Sequence, residues 1–254
     1  MTKLSSVQSL YDLCKKTFTS SSSGTVVSPQ AIRTLCSLLD TIVPADVGLR
    51  DQGGSEDERG YGFFGNRQSL RSARWAKPIN YLNIFENECF SIAIFCLPTS
   101  SVIPLHDHPG MTVFSKMLYG SMHVKGYDWE DPSYSQQSGR PEESSLRLAK
   151  LSVDNVLSAT CPTSILYPTT GGNLHSFTAI TSCAVLDVFS PPYSNAADRV
   201  CTYYNDYPYS SFSNTEQHIS QNDEEGDYAW LEKIKTPDDL YILQGRYMGP
   251  VIQP

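Results

Sequence analysis

The chain has 254 residues, 40% of them apolar, and carries 19 Lys plus Arg against 27 Asp plus Glu, a formal net charge of −8. That is enough apolar material for one sizeable core. The acidic balance argues against direct nucleic-acid binding, which needs a basic footprint. No apolar run approaches the ~18 residues of a membrane span. The first residues lack the charged-then-apolar layout of a secretory leader. Seven cysteines without any Cys-x-x-Cys spacing then read as free thiols of a reduced intracellular protein.

The N-terminal stretch predicts a helix, because Val7, Leu10, Tyr11, Cys14 and Phe18 recur at spacings of three and four and form one apolar stripe. Residues 19–24 (TSSSSG) break that pattern as a linker. A second helix is signalled by Ser28 as N-cap and Pro29 at the first helical position. Ile32, Leu35, Cys36, Leu39 and Ile42 line one of its faces, and Pro44 lies just beyond its end. Both helices are expected to pack against a sheet, and residues 1–47 are expected to form an N-terminal helical segment ahead of a domain spanning 48–254.

Residues 48–72, rich in Gly, Asp, Glu and Arg, read as a mostly irregular connection. From Ile79 the texture changes to short β-prone runs at 81–86, 90–97, 101–106, 111–119, 121–129, 146–153, 164–167, 176–181 and 184–189. Turn formers at Pro98, Pro109, Gly110, Gly120, Pro168, Gly171 and Gly172 separate them. Many short strands with regular turns predict a sandwich, barrel or jelly roll. Residues 131–145 read as a polar hairpin insertion and 205–227, Tyr/Ser-rich and then acidic, as an exposed excursion. Residues 240–247 are expected to return as an edge strand.

Two of the five histidines stand as His106-Asp107-His108. In an extended strand, residues two apart point to the same face, so this pair aims two imidazoles at one point in space. The apolar Val102, Ile103 and Leu105 place the pair at the end of a buried strand, and Pro109-Gly110-Met111 then turns the chain. Much later, Gly171 and Gly172 permit a tight turn with positive φ just before His175, which starts another strand. A third imidazole from a separate strand would complete a facial set of ligands. Three neutral imidazoles suit iron, zinc, copper or nickel, so the donors alone leave the metal open.

These residues bear a family resemblance. Residues 100–120 resemble the first cupin motif and 165–179 the second, although Thr112 and Val113 occupy the stretch that usually holds a Glu, and Ala179 stands where cupins place an Asn. A three-histidine cupin site without a carboxylate resembles the thiol dioxygenases. The strings PLHDHPGMTVFSKMLYG (104–120), GGNLHSF (171–177) and LDVFSPPYS (186–194), with RYMGP near the end, resemble plant cysteine oxidases and the animal cysteamine dioxygenase. The resemblance implies a mainly β cupin double-stranded β-helix, a jelly-roll barrel with the N-terminal helices packed outside.

It also implies Fe(II) held by His106, His108 and His175, with Asp187 near the substrate and Tyr193 and Cys201 around the site. The implied reaction adds both atoms of O2 to the N-terminal cysteine of a protein, giving cysteine sulfinic acid. In plants the implied targets begin Met-Cys, group VII ethylene-response transcription factors among them, and oxidation commits them to the N-degron pathway as an oxygen-sensing response. A monomer located in the cytoplasm and nucleus is expected on the same ground.

Other readings stay open at this level. The substrate is a polypeptide or a small thiol such as cysteine or cysteamine, or the chain is a cupin interaction module, since function belongs to the site and not the scaffold. Asp187 reads as a substrate-side carboxylate or one that ties a turn, Tyr193 as a seal on the barrel mouth, and Cys201 as a buried filler. His123 and His218 are expected to face solvent. Lys116 and Arg199 stand as candidate contacts to a polypeptide substrate or as ordinary surface charge.

Overall fold

The structure is a computed structural model, and it describes residues 4–18, 27–49, 78–130, 146–212 and 225–254. The linker read at 19–24, most of the 48–72 connection, the 131–145 insertion, His218 and the middle of the 205–227 excursion lie outside the described residues.

Helix α1 spans Ser6–Phe18 and buries the five stripe residues, Val7, Leu10, Tyr11, Cys14 and Phe18. Helix α2 spans Pro29–Leu39. Its N-cap is Ser28, whose Oγ accepts from the Ala31 N–H at 3.2 Å. That bond satisfies one of the otherwise orphaned N–H groups of the first turn.

Among the described residues twelve strands follow: β1 (Ile79–Glu86), β2 (Ser91–Leu97), β3 (Val102–Asp107), β4 (Thr112–Tyr119), β5 (Ser121–Trp129), β6 (Leu146–Ser158), β7 (Ser164–Leu166), β8 (Leu174–Ala179), β9 (Cys183–Ser190), β10 (Tyr203–Pro208), β11 (Tyr228–Ile234) and β12 (Ile242–Gln244). Their pairing is nested: β2 with β9, β3 with β8, β4 with β7 and β5 with β6. Further ladders join β4 to β9 and β5 to β8. A ribbon folded over in this way is the jelly roll, the double-stranded β-helix of cupins, so the fold is mainly β with the helices outside, as expected.

One sheet runs β12-β1-β2-β9-β4-β7, and the other, β10-β11-β6-β5-β8-β3, closes on itself. The closing pair sets Tyr203 opposite His106. The helices cover the outer face of the first sheet, where Leu10, Leu35 and Leu39 pack with Phe90, Ile92, Phe114 and Leu186. Ile103, Met122, Phe177 and Val185 fill the space between the sheets. Gly120 makes the β4–β5 turn with φ +75°, and a Cβ there would lie 2.2 Å from the Ser182 carbonyl oxygen, so only glycine fits.

The reading of 205–227 as an excursion is corrected at its start. Residues Tyr203–Pro208 form β10, paired along its length with β11. The sequence YYNDYP lacks a clean apolar alternation because Asp206 is accommodated by a 3.0 Å ion pair with Lys125 and a 2.9 Å hydrogen bond from the Tyr127 hydroxyl. Strand β6 also runs past the expected 153 to Ser158, since its polar second half lies mostly on the surface while still pairing with β5.

Candidate metal centre

His106 lies near the end of β3 and His108 just beyond it, so strand alternation turns both rings to one side and Asp107 to the other. The turn that follows is closed by the Met111 N–H donating to the His108 carbonyl at 3.1 Å, with Gly110 at φ +66°. His175, the second residue of β8, stands opposite His106 on β3 and opposite Gly126 on β5. The three rings are buried, with centroids 4.8–4.9 Å apart, and one ligand nitrogen from each lies within 4.8 Å of the others.

The hydrogen bonds around the rings fix which nitrogens are free. His106 Nδ1 lies 2.8 Å from the Pro104 carbonyl, an acceptor only, so it bears the proton and leaves Nε2 with its lone pair. The Tyr193 hydroxyl donates to the Asp107 carbonyl at 2.7 Å. Its oxygen therefore accepts from His108 Nδ1, 2.9 Å away. His175 bonds the Gly172 backbone. His108 Nε2 and His175 Nε2 then face each other at 3.1 Å. Burial holds His106 down to about 4 and His108 and His175 well below the ordinary imidazole range. Buried neutral imidazoles with converging lone pairs and no proton between them are the donor set of a metal site. The residues present fit a divalent transition metal.

Around this set, main-chain positions are pinned by side chains that point elsewhere. Asp107 Oδ1 accepts from the Thr202 N–H at 2.8 Å and Oδ2 from the Tyr204 hydroxyl at 2.9 Å, which ties the HxH segment to the chain entering β10. Asn173 clamps His108 from both ends, donating to its carbonyl at 2.9 Å and accepting from its N–H at 3.2 Å. The Asp128 carboxylate accepts from the N–H groups of Gly171, Gly172 and Asn173 at 2.9–3.1 Å, fixing the turn before His175. Gly126 allows this turn to pass close by: a Cβ there would be 3.2 Å from Gly172 Cα.

The rings open into a cavity of about 180 Å³, which Asp187, Tyr193, Cys201, Tyr203 and Ile242 also line, together with apolar residues of both sheets. Asp187 comes from β9. It is 4% exposed, and its Oδ1 has no hydrogen-bond partner. Burial raises its carboxyl to about 7, and a hydrogen bond from Ser115 moderates the rise. The Cys201 thiol is raised by burial and hydrogen-bonds both Tyr193 and Tyr203. The cavity thus joins a metal-binding face, a carboxyl with one unpartnered oxygen and a phenol-thiol group.

The residues singled out in the sequence, His106, His108, His175, Asp187, Tyr193 and Cys201, converge on this one cavity. Lys116 and Arg199 do not. Lys116 is buried, and its Nζ donates to the carbonyls of Ala159 at 3.2 Å and Cys161 at 2.7 Å, so it is neither surface charge nor a substrate contact. Arg199 donates to the Pro192 carbonyl at 3.1 Å and so braces the loop that bears Tyr193. His123 is solvent-facing, as expected, beside Asp154 at 2.6 Å. Tyr203, Ile242, Asp107, Asn173 and Asp128 escaped the sequence reading. Only Asp107, set between two histidines, had a positional signal.

The PCO_ADO family model matches residues 38–252. Plant cysteine oxidase 2 of Arabidopsis thaliana is 49% identical over 249 residues, which cover 97% of this chain and 83% of that protein. Plant cysteine oxidase 1 of the same plant is 42% identical over 253 residues, 98% of this chain and 81% of that protein. The 2-aminoethanethiol dioxygenase of Mus musculus is 28% identical over 194 residues, 70% of this chain and 72% of that protein.

Proposed function

The chain belongs to the PCO_ADO family, and on that premise we propose that it converts the N-terminal cysteine of target proteins to cysteine sulfinic acid, using O2 and Fe(II). Its relatives are cysteine and cysteamine dioxygenases, so the coarser activity is that of a thiol dioxygenase. The observation that supports the site assignment best is the set of three neutral imidazoles with no carboxylate among them.

Fe(II) bound to His106, His108 and His175 would lower the substrate thiol's pKa and supply the redox capacity that combines sulfur with O2. The protein's own groups do the rest. The Pro104 carbonyl and Tyr193 hydroxyl hold the His106 and His108 rings in the tautomer that presents Nε2. The apolar walls, Ile103, Phe177 and Phe189 among them, keep bulk water from the reacting sulfur. The free Oδ1 of Asp187 accepts a hydrogen bond from the substrate's α-amine, which favours a chain-terminal cysteine over an internal one. Both oxygen atoms end on sulfur, so RSH plus O2 gives RSO2H and no other reductant is consumed.

Placement in the N-degron pathway, targets of the group VII ethylene-response type, monomeric state and residence in the cytoplasm and nucleus follow the same family reading. Small thiols are the second reading, favoured by the name of the mouse relative. Protein purified without oxygen and loaded with Fe(II) is given O2 and either a Cys-initiated peptide or cysteamine. Mass spectrometry is expected to show two oxygens added to the peptide. Turnover of cysteamine alone would select the second reading. His175→Ala is expected to lose iron retention.

A further inference from the structure

Strand β12 ends the first sheet: among the described residues, no strand pairs with its outer side. It runs parallel to β1, with Ile242 opposite Ile79 and Gln244 opposite Tyr81. The flanking bonds show which of its peptide groups face β1. The Tyr241 carbonyl accepts from the Ile79 N–H at 2.9 Å, and the Gly245 N–H donates to the Tyr81 carbonyl at 2.8 Å. In a parallel ladder, alternate residues present both main-chain groups to the same side. Tyr241, Leu243 and Gly245 therefore serve β1, while the N–H and C=O of Ile242 and Gln244 point outward.

Ile242 is also where the edge meets the cavity. Its side chain lines the same space as His106 and Asp187, yet it is 39% exposed, so it stands at the mouth. Tyr203, on the edge-closing strand of the other sheet, lines the cavity as a half-buried residue. A cysteine whose sulfur reaches the histidines must leave the cavity through an opening, and the opening at Ile242 is continuous with two donor–acceptor positions that no main-chain group pairs among the described residues. A small thiol has nothing to place there. An extended polypeptide has a row of matching amides, and an exposed sheet edge captures such a segment by strand addition.

We propose that the residues following the substrate's N-terminal cysteine add as a short β-strand to the outer edge of β12, pairing with the main chain of Ile242 and Gln244. This rests on the N-terminal cysteine reading and extends it. The occupant is the substrate's own backbone, so recognition beyond the cysteine is largely independent of side-chain identity, and its hydrogen bonds recur at every second substrate residue.

The test is a backbone scan of a Cys-initiated peptide, in which single amide-to-ester replacements delete one N–H at a time without added bulk. KM and kcat are read by sulfinate formation in the iron-loaded enzyme. KM is expected to rise about two- to tenfold at alternate positions, the loss of one hydrogen bond each, with kcat little changed. The variant Gln244→Pro removes one outward N–H, and proline is tolerated on an edge strand where the N–H faces solvent. In that variant KM is expected to rise for the unmodified peptide. A scan in which no position raises KM twofold, or in which the effect lacks the two-residue period, overturns the proposal whatever the variant does. Failure of the wild type to oxidise the unmodified peptide overturns the N-terminal cysteine reading itself, and the proposal with it.

Discussion

Tyr193 reaches from the loop after β9 to His108, and its one hydroxyl holds the ring of that histidine while donating to the carbonyl of the preceding Asp107. Removing the hydroxyl leaves His108 Nδ1–H buried without an acceptor and frees the ring to change tautomer. Tyr193→Phe is expected to weaken metal retention about 10- to 100-fold, the usual cost of losing such a partner, with little loss of fold because the ring still packs on Phe189. A chelator competition titration measures this; unchanged affinity would mean that the tautomer is fixed by something else.

Asp187 gives the metal-free protein a definite pH dependence. Its carboxyl is raised from 3.8 to about 7 by burial, so the folded state binds its proton more tightly than the unfolded state. The penalty of charging it is absent below pH 4, grows as pH rises through the unfolded value, and is complete above about 7. A rise of about three units at ~1.4 kcal/mol each is on the order of 4 kcal/mol. The three buried histidines work in the opposite direction over this window but equally in both proteins, so urea titrations of the metal-free forms are expected to show the stability of Asp187→Asn rising relative to the wild type between pH 4 and 7. Metal loading adds positive charge to the cavity and is expected to shift the transition to lower pH.

Asp128 organises the turn that delivers His175. Asp128→Ala strands the N–H groups of Gly171, Gly172 and Asn173, and about 2 kcal/mol of stability is expected to go with them. Because Asn173 clamps His108, the loss is expected to appear in metal affinity as well as in chemical denaturation. An effect on stability alone would separate the turn from the site.

Lys116 is a structural cation that does not line the cavity, although its neighbour Ser115 does. Its Nζ bonds two carbonyls and lies 3.7 Å from Asp40, which in turn accepts from Thr163, so β4, the 159–163 segment and the end of α2 meet there. Lys116→Met leaves those acceptors unanswered and is expected to cost about 2 kcal/mol. Metal affinity measured on the same sample is expected to match the wild type.

Much of the fold was readable along the chain. The stripe of α1, the Ser28-Pro29 start of α2 and most of the strand runs depend on local periodicity and capping, which are properties of neighbours in sequence. Strand β10 was not readable, because Tyr203–Pro208 earns its place through Asp206 meeting Lys125, 81 residues away. Lys116 was misread for the same reason: a lysine on a strand looks solvent-facing until the carbonyls that receive it are known.

The sequence by itself determined the two imidazoles of His106 and His108, since a two-residue spacing on a strand admits only one common face. It also determined the glycine turn ahead of His175 and the absence of the usual cupin Glu at Thr112 and Val113. The tertiary structure alone decided that His175 lies opposite His106, that Asp187 keeps an unpaired oxygen in the same cavity, and that Tyr193 sets the proton on His108. Each of these is a contact across strands whose register is fixed by core packing over the whole barrel. The same holds for the sheet edge at Ile242, because only the assembled sheet shows which strand has no neighbour among the described residues.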